Sequence, residues 1–163
     1  MTEVTTIDVR EIPFQTVDGG SVKLSDLGGE VFLVVNLASK CGLTPQYEQL
    51  EQLQKAYADR GFSVVGFPSN QFLQEPGSTE EILDYCATTW GVSFPIFDKV
   101  NVNGGKAAPI YKALKDTADE TGRVTWNFEK FLVLPNGDVR RFSPKTVPDD
   151  PAIVSVIEAN LPG

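Results

Sequence analysis

One stretch constrains the fold of this chain more than any other: Val31-Phe-Leu-Val-Val-Asn36-Leu-Ala-Ser-Lys40-Cys41-Gly42-Leu-Thr44-Pro45-Gln46-Tyr47. It opens with a short, branched, apolar run, bounded by Gly28-Gly29 before and Cys41-Gly42 after. That pattern predicts a strand buried on both faces. Thr44-Pro45 then predicts a helix start, with Thr44 as N-cap and Pro45 at the first helical position. Tyr47, Leu50, Leu53 and Tyr57 follow at roughly helical spacing. Cys41 therefore sits on the turn between a central strand and a helix N-terminus. There it meets free backbone N–H groups, the positive end of the helix dipole and the adjacent Lys40, all of which favour the reactive thiolate. The plainer reading is an inert, buried small cysteine, but core cysteines rarely border a glycine at such a turn.

The rest of the chain extends this unit. Asp59-Arg60-Gly61 ends the helix, and Phe62–Phe67 predicts a second strand stopped by Pro68. Strand, helix and strand at this spacing form a βαβ unit, so the two strands run parallel. Sites gather at the C-terminal ends of such strands. The loop carrying Cys41 and the loop carrying Asn70 and Gln71 should thus open on one edge of the sheet. Before the unit, Phe14 to Leu24 alternates around Asp18-Gly19 and predicts a β-hairpin. After it, Ser78-Thr-Glu-Glu81 is a capping box starting a helix that ends at Trp90-Gly91, with Ile82, Tyr85, Cys86 and Thr89 on one face. Phe94–Phe97 is a short extended segment, and Ala107 to about Asp116 is helical. Trp126-Asn127-Phe128 leads into a strand, Asn136-Gly137 turns it back through Val139–Phe142, and Asp150-Pro151 starts a last helix with Ile153, Val154, Ile157 and Leu161 inward.

Composition removes several chemistries. The 163 residues, 41% hydrophobic and 22% charged, suit one globular domain spanning 1–163. There is no histidine, so a Ser-His-Asp triad, a Cys-His dyad and any His-ligated metal site are impossible. Two cysteines alone build neither a Cys-based zinc site nor an iron–sulfur cluster, and no cofactor is implied. A net charge of −8 argues against nucleic acid and anionic membranes as partners. No apolar run approaches the roughly 20 residues needed to span a bilayer, and the first residues lack a signal-peptide pattern. The expectation is a cytoplasmic protein whose cysteines are chemical rather than structural.

Three segments together resemble the signatures of the glutathione peroxidase family: Asn36-Leu-Ala-Ser-Lys-Cys41-Gly-Leu-Thr-Pro-Gln-Tyr47, Gly66-Phe-Pro-Ser-Asn-Gln-Phe72 with Gln74-Glu-Pro-Gly77, and Trp126-Asn-Phe-Glu-Lys-Phe131. The resemblance runs from about residue 11 to 161. It implies a thioredoxin-like α/β fold, a central mixed sheet flanked by helices with an N-terminal hairpin. Cys41-Gly-Leu-Thr44 takes the place of thioredoxin's Cys-x-x-Cys, so no local disulfide forms. The matching positions imply a catalytic tetrad of Cys41, Gln71, Trp126 and Asn127. The chemistry fits these side chains. A thiolate attacking a peroxide needs donors for the leaving oxygen, and Gln71, Asn127 and the Trp126 indole offer neutral N–H groups. Taken singly, each has a plainer role in turn or core.

Cys86 matches the resolving cysteine of the family's two-cysteine members, which are reduced by thioredoxin rather than glutathione. Alternatively it only packs beside Ile82 and Tyr85. A disulfide needs Cα atoms about 4.4–6.8 Å apart. A Cys86 facing the core of a formed helix therefore calls for unwinding around Tyr85–Trp90, helped by Thr88-Thr89 and Gly91. Ser69 stands where many cysteine-type members carry a further cysteine, and the 116–125 connection lacks the insertion of tetrameric members. No basic cluster awaits glutathione's carboxylates. These departures point to a monomer using thioredoxin, with a site open to bulky lipid hydroperoxides. The resulting expectation is a thiol peroxidase acting on hydrogen peroxide and organic or lipid hydroperoxides. The alternatives are a peroxide sensor that oxidises a partner protein and a glutathione-dependent one-cysteine peroxidase.

Overall fold

The computed structural model describes residues 8–162. Its centre is a four-stranded sheet of β3 (Val31–Leu37), β4 (Phe62–Pro68), β5 (Lys130–Val133) and β6 (Val139–Phe142), in the order β4-β3-β5-β6. β3 and β4 are parallel, in register from Val31 with Phe62 to Leu37 with Pro68, as the βαβ reading requires. β5 lies antiparallel to β3, with Val35 opposite Lys130, and β6 returns antiparallel through the turn at Asn136-Gly137. A small hairpin, β1 (Phe14–Gln15) with β2 (Ser21–Val22), precedes the sheet. Among the described residues, four α-helices complete the fold: α1 (Tyr47–Tyr57), α2 (Thr79–Trp90), α3 (Pro109–Thr117) and α4 (Pro151–Asn160).

Every residue of β3 is buried because both sheet faces are covered. Side chains alternate between faces along a strand. Val31, Leu33, Val35 and Leu37 point toward Leu50 and Leu53 of α1, Ile82 and Cys86 of α2, and Ile153 and Ile157 of α4. Phe32 and Val34 point the other way, toward Ile110, Tyr111 and Leu114 of α3 and toward Phe14 of the hairpin. The extended segment at 94–97 runs along β4. Gly66 accepts from Phe97 N–H (2.9 Å) and donates to Pro95 carbonyl (3.0 Å). A Cβ at Gly66 would lie 2.6 Å from a Leu37 methyl and 3.2 Å from the Phe94 ring, so only glycine lets the segment approach.

The capping box at Ser78 and Glu81 forms reciprocally, and Gly91 closes α2 at φ 61°. Thr44 departs from expectation. A 3-10 turn over Thr44–Gln46 precedes α1, and Thr44 caps nothing. Its hydroxyl instead accepts the Cys41 N–H (3.0 Å) and donates to the Ala38 carbonyl (2.9 Å). The threonine is spent on shaping the turn itself. On α2, only Ile82 and Cys86 are buried; Thr89 faces solvent and Tyr85 is half-buried.

Candidate active site

Cys41 lies just past β3 and is nearly buried, with 9% of its surface exposed. The Leu43 N–H donates to its sulfur at 3.3 Å. Thr44 bonds both the Cys41 N–H and the Ala38 carbonyl of the same turn, so the sulfur sits in a loop whose backbone is held on either side.

The loop after β4 is tied to the end of β3 by the Ser69 N–H, which donates to the Leu37 carbonyl (3.1 Å). Ser69 is fully buried, and its hydroxyl accepts the Gln71 N–H (3.4 Å). The Gln71 side chain is clamped on the turn at 102–103. Its carbonyl oxygen accepts the N–H groups of Val102 (2.6 Å) and Asn103 (2.8 Å), and its amide donates to the Asn103 carbonyl (2.9 Å). Among the described residues, the Gln71 amide has this one acceptor, which leaves its second hydrogen over. Asn103 is itself buried and bonded at both ends of its side chain to Val124 (2.7 and 2.8 Å). The Gln71 loop is thereby coupled to the segment leading into Trp126.

The third loop precedes β5. Because β5 runs antiparallel to β3, this loop opens on the same edge as Cys41. Asn36, the one polar residue of β3, fixes it. Its amide donates to the Trp126 carbonyl (3.0 Å), its side-chain oxygen accepts the Glu129 N–H (3.1 Å), and its backbone carbonyl accepts the Phe128 N–H (2.8 Å). Phe128 holds the left-handed φ of 64°, an uncommon conformation for an aromatic residue, and is fully buried. Trp126 remains 37% exposed, and its ring packs on Phe72 at 5.2 Å. Asn127 is fully buried; its amide donates to the Gln74 side-chain oxygen (2.8 Å), and its own oxygen has no partner among the described residues. Gln74 also accepts the Lys40 N–H on its backbone carbonyl (3.1 Å). One residue thus joins Asn127 to the turn holding Cys41. Beside these loops, Leu43, Thr125, Trp126, Ser143, Pro144 and Lys145 line an open, largely apolar cavity of 330 Å³.

Cys86 sits mid-helix on α2 and is 1% exposed. Its thiol donates to the Tyr47 hydroxyl at 3.4 Å. Burial pushes that thiol up to about 11, against the pull of the Tyr47 hydrogen bond. Both cysteines are free and belong to one apolar cluster between the sheet and helices α1 and α2.

All four residues expected to form the tetrad therefore sit on three loops at one sheet edge, with Cys86 in the core alongside. Asn36, Gln74, Asn103 and Tyr47, which hold them, were not singled out as site residues. Asn36 carried a signal, a lone amide in an otherwise apolar strand, and Gln74 and Tyr47 lie within the signature segments, but no sequence pattern specified the bonds these residues make, because their partners are distant in sequence.

A thioredoxin-like fold with a cysteine at its strand-to-helix turn defines a class of thiol-redox proteins. The fold is shared with a thioredoxin family protein from Chlorobium tepidum, at TM-score 0.65 and 22% identity over 95% of this chain and 98% of that one. The glutathione peroxidase family model matches residues 9–115. The thioredoxin/glutathione peroxidase BtuE of Escherichia coli is 50% identical over 89% of this chain and 92% of its own. The hydroperoxy fatty acid reductase gpx1 of Synechocystis is 47% identical over 82% and 85%. The crystal structure of Trgpx in apo form superposes with TM-score 0.72 at 37% identity, covering 96% of this chain and 99% of that one. The chain belongs to the glutathione peroxidase family.

Proposed function

We propose that this chain is a thiol peroxidase that reduces hydrogen peroxide and organic or lipid hydroperoxides, with Cys41 as nucleophile. The Cys41 sulfur attacks the terminal peroxide oxygen. The S–O bond forms, the O–O bond breaks, and the leaving oxygen departs as water or alcohol with the thiol's proton. Cys41 is left as a sulfenic acid. The Leu43 N–H at the sulfur supports this reading more than any other single observation, because it places a fixed donor where negative charge must sit. The uncommitted amide hydrogens of Gln71 and Asn127 supply neutral donors for the leaving oxygen, and Trp126 walls the site beside an apolar cavity suited to an alkyl group.

In this reading Cys86 resolves the sulfenic acid into a Cys41–Cys86 disulfide, which thioredoxin reduces. The BtuE relative carries both thioredoxin and glutathione in its name, so the two reductants are set against each other in the test. NADPH consumption is followed with peroxide in the presence of thioredoxin and its reductase, or of glutathione and its reductase. Turnover with thioredoxin and little with glutathione is expected. The reverse preference would remove the two-cysteine cycle. Absence of turnover with both, alongside a stable mixed disulfide with a client protein, would favour a peroxide sensor.

A further inference from the structure

Tyr47 takes no part in the chemistry above, yet it binds the helix that carries Cys86. It is fully buried on the first turn of α1. Its hydroxyl accepts the Cys86 thiol hydrogen at 3.4 Å. Its ring stacks on Trp90 (6.0 Å) and Phe94 (6.4 Å) and meets the Phe128 ring edge-on (5.5 Å). Trp90 is held in turn by its indole N–H, which donates to the Tyr85 hydroxyl (3.1 Å). One turn along α1, the buried carboxylate of Glu51 accepts both the N–H (2.8 Å) and the hydroxyl (2.6 Å) of Ser93. Residues four apart share a helix face. A single face of α1 therefore grips the C-terminal half of α2 and the segment that follows.

The two grips differ in what they hold. Tyr47 holds Cys86 and Trp90, the residues displaced by the unwinding of α2 expected for disulfide formation. Glu51 holds Ser93, on the far side of Gly91, whose left-handed φ of 61° ends the helix. Glycine there makes a hinge with little steric cost. The thiol is moreover kept protonated by burial, which makes it a poor nucleophile until it is freed.

We propose that Tyr47 is a positioning residue, a latch that keeps Cys86 inside folded α2 and so sets the rate at which oxidised Cys41 is resolved, while the Glu51–Ser93 pair anchors the chain beyond the hinge. The inference rests on the resolving role proposed for Cys86. In the governed step the Cys86 sulfur displaces hydroxide from the Cys41 sulfenic acid. The S–S bond forms as the S–O bond breaks, and the hydroxide leaves as water with the Cys86 proton. No external electron is needed. While the latch is closed, the sulfenic acid stays open to a second peroxide, which takes it to the sulfinic acid. Tyr47 thus fixes the peroxide level at which Cys41 is over-oxidised.

Tyr47→Phe keeps the ring and its stacking and removes only the hydroxyl. Rapid-quench intact-mass measurement on the parent and the variant separates the peroxide step from disulfide formation. The peroxide step should run at the parent rate. Disulfide formation should be about threefold faster, the order expected for losing one weak hydrogen bond. The sulfinic fraction at excess peroxide should fall. Trp90→Leu, which removes the stack and the Tyr85 bond, should act in the same direction. Disulfide formation at an equal or slower rate in Tyr47→Phe overturns the latch, a slower rate meaning that the hydroxyl activates the thiol. If the parent forms no disulfide, and Cys86→Ser oxidises as the parent does, the resolving role fails and the latch fails with it.

Discussion

At the scale of single residues, the proposed site depends on side chains that hold its candidate reacting groups as much as on the groups themselves. Gln74 is the sharpest case, since it bonds Asn127 through its side chain and Lys40 through its backbone. Gln74→Ala should lower the rate of Cys41 oxidation by about tenfold or more, because small misplacements of catalytic groups cost on that order. Stopped-flow peroxide kinetics check this, with the fold verified by circular dichroism. Lys130 makes a second residue-level prediction. It is fully buried, its ammonium donates to the Pro144 carbonyl (2.8 Å), and burial lowers it to about 7. Between about 7 and the ordinary lysine value, the unfolded chain binds a proton that the native state lacks. Stability should therefore rise with pH across this window, by up to about 1.4 kcal/mol per pH unit from this group. The cost of the buried charge is fully present below about 7. Cys86 acts oppositely from about 9 upward, since its thiol keeps its proton in the native state to about 11. Urea titrations of the parent and Lys130→Met between pH 6 and 8.5 should show the slope in the parent and its loss in the variant.

At the scale of elements, the strand that buries itself also organises the site. β3 delivers Cys41 at its C-terminal end and, one pleat earlier, uses Asn36 to fix the start of β5. Asn36→Ala should cost about 2–4 kcal/mol of stability, because one buried and one partly buried hydrogen bond are lost and a backbone carbonyl and N–H are left unpaired. Urea unfolding measures it, and a loss below 1 kcal/mol would show that the loop before β5 is held by packing instead. Helix α2 is the element expected to change. Its N-terminus is secured by the capping box, while its C-terminal half carries Thr88, Thr89 and the Gly91 cap. One equivalent of peroxide should lower amide protection at residues 85–90 and leave α1 unchanged. Unaltered protection throughout α2 would mean that Cys86 does not travel.

At the scale of the molecule, much of the architecture could be read from local patterns. The apolar run of β3, the βαβ spacing, the Asn136-Gly137 turn and the Ser78 capping box each depend on neighbours in sequence, and each appears as expected. Thr44 does not cap α1 because its hydroxyl bonds Ala38 and Cys41, a local demand of the Cys41 turn that overrides the usual preference of threonine before proline. The loops carrying Cys41 and Gln71 were legible because parallel strand direction puts their ends on one edge; the loop carrying Trp126 and Asn127 was legible only through the family resemblance, since the antiparallel pairing of β5 with β3 that brings it there joins segments far apart along the chain. What holds them was not legible. The bonds of Gln71 to the 102–103 turn, of Asn127 to Gln74 and of Cys86 to Tyr47 join residues far apart along the chain, and no periodicity or turn signal specifies such pairs. Among the described residues, no helix is long and apolar enough to cross a membrane.

The proposed cycle needs Cys41 to be the residue oxidised and Cys86 to be the residue that resolves it. Intact mass after one equivalent of peroxide, on the parent and on Cys86→Ser, tests both at once. Loss of two hydrogens from the parent, with a trapped single-oxygen adduct on Cys41 of the variant, is the predicted result. A single-oxygen adduct on both proteins would leave Cys86 a packing residue and return glutathione as the reductant. No change in either protein would contradict the peroxidase reading itself.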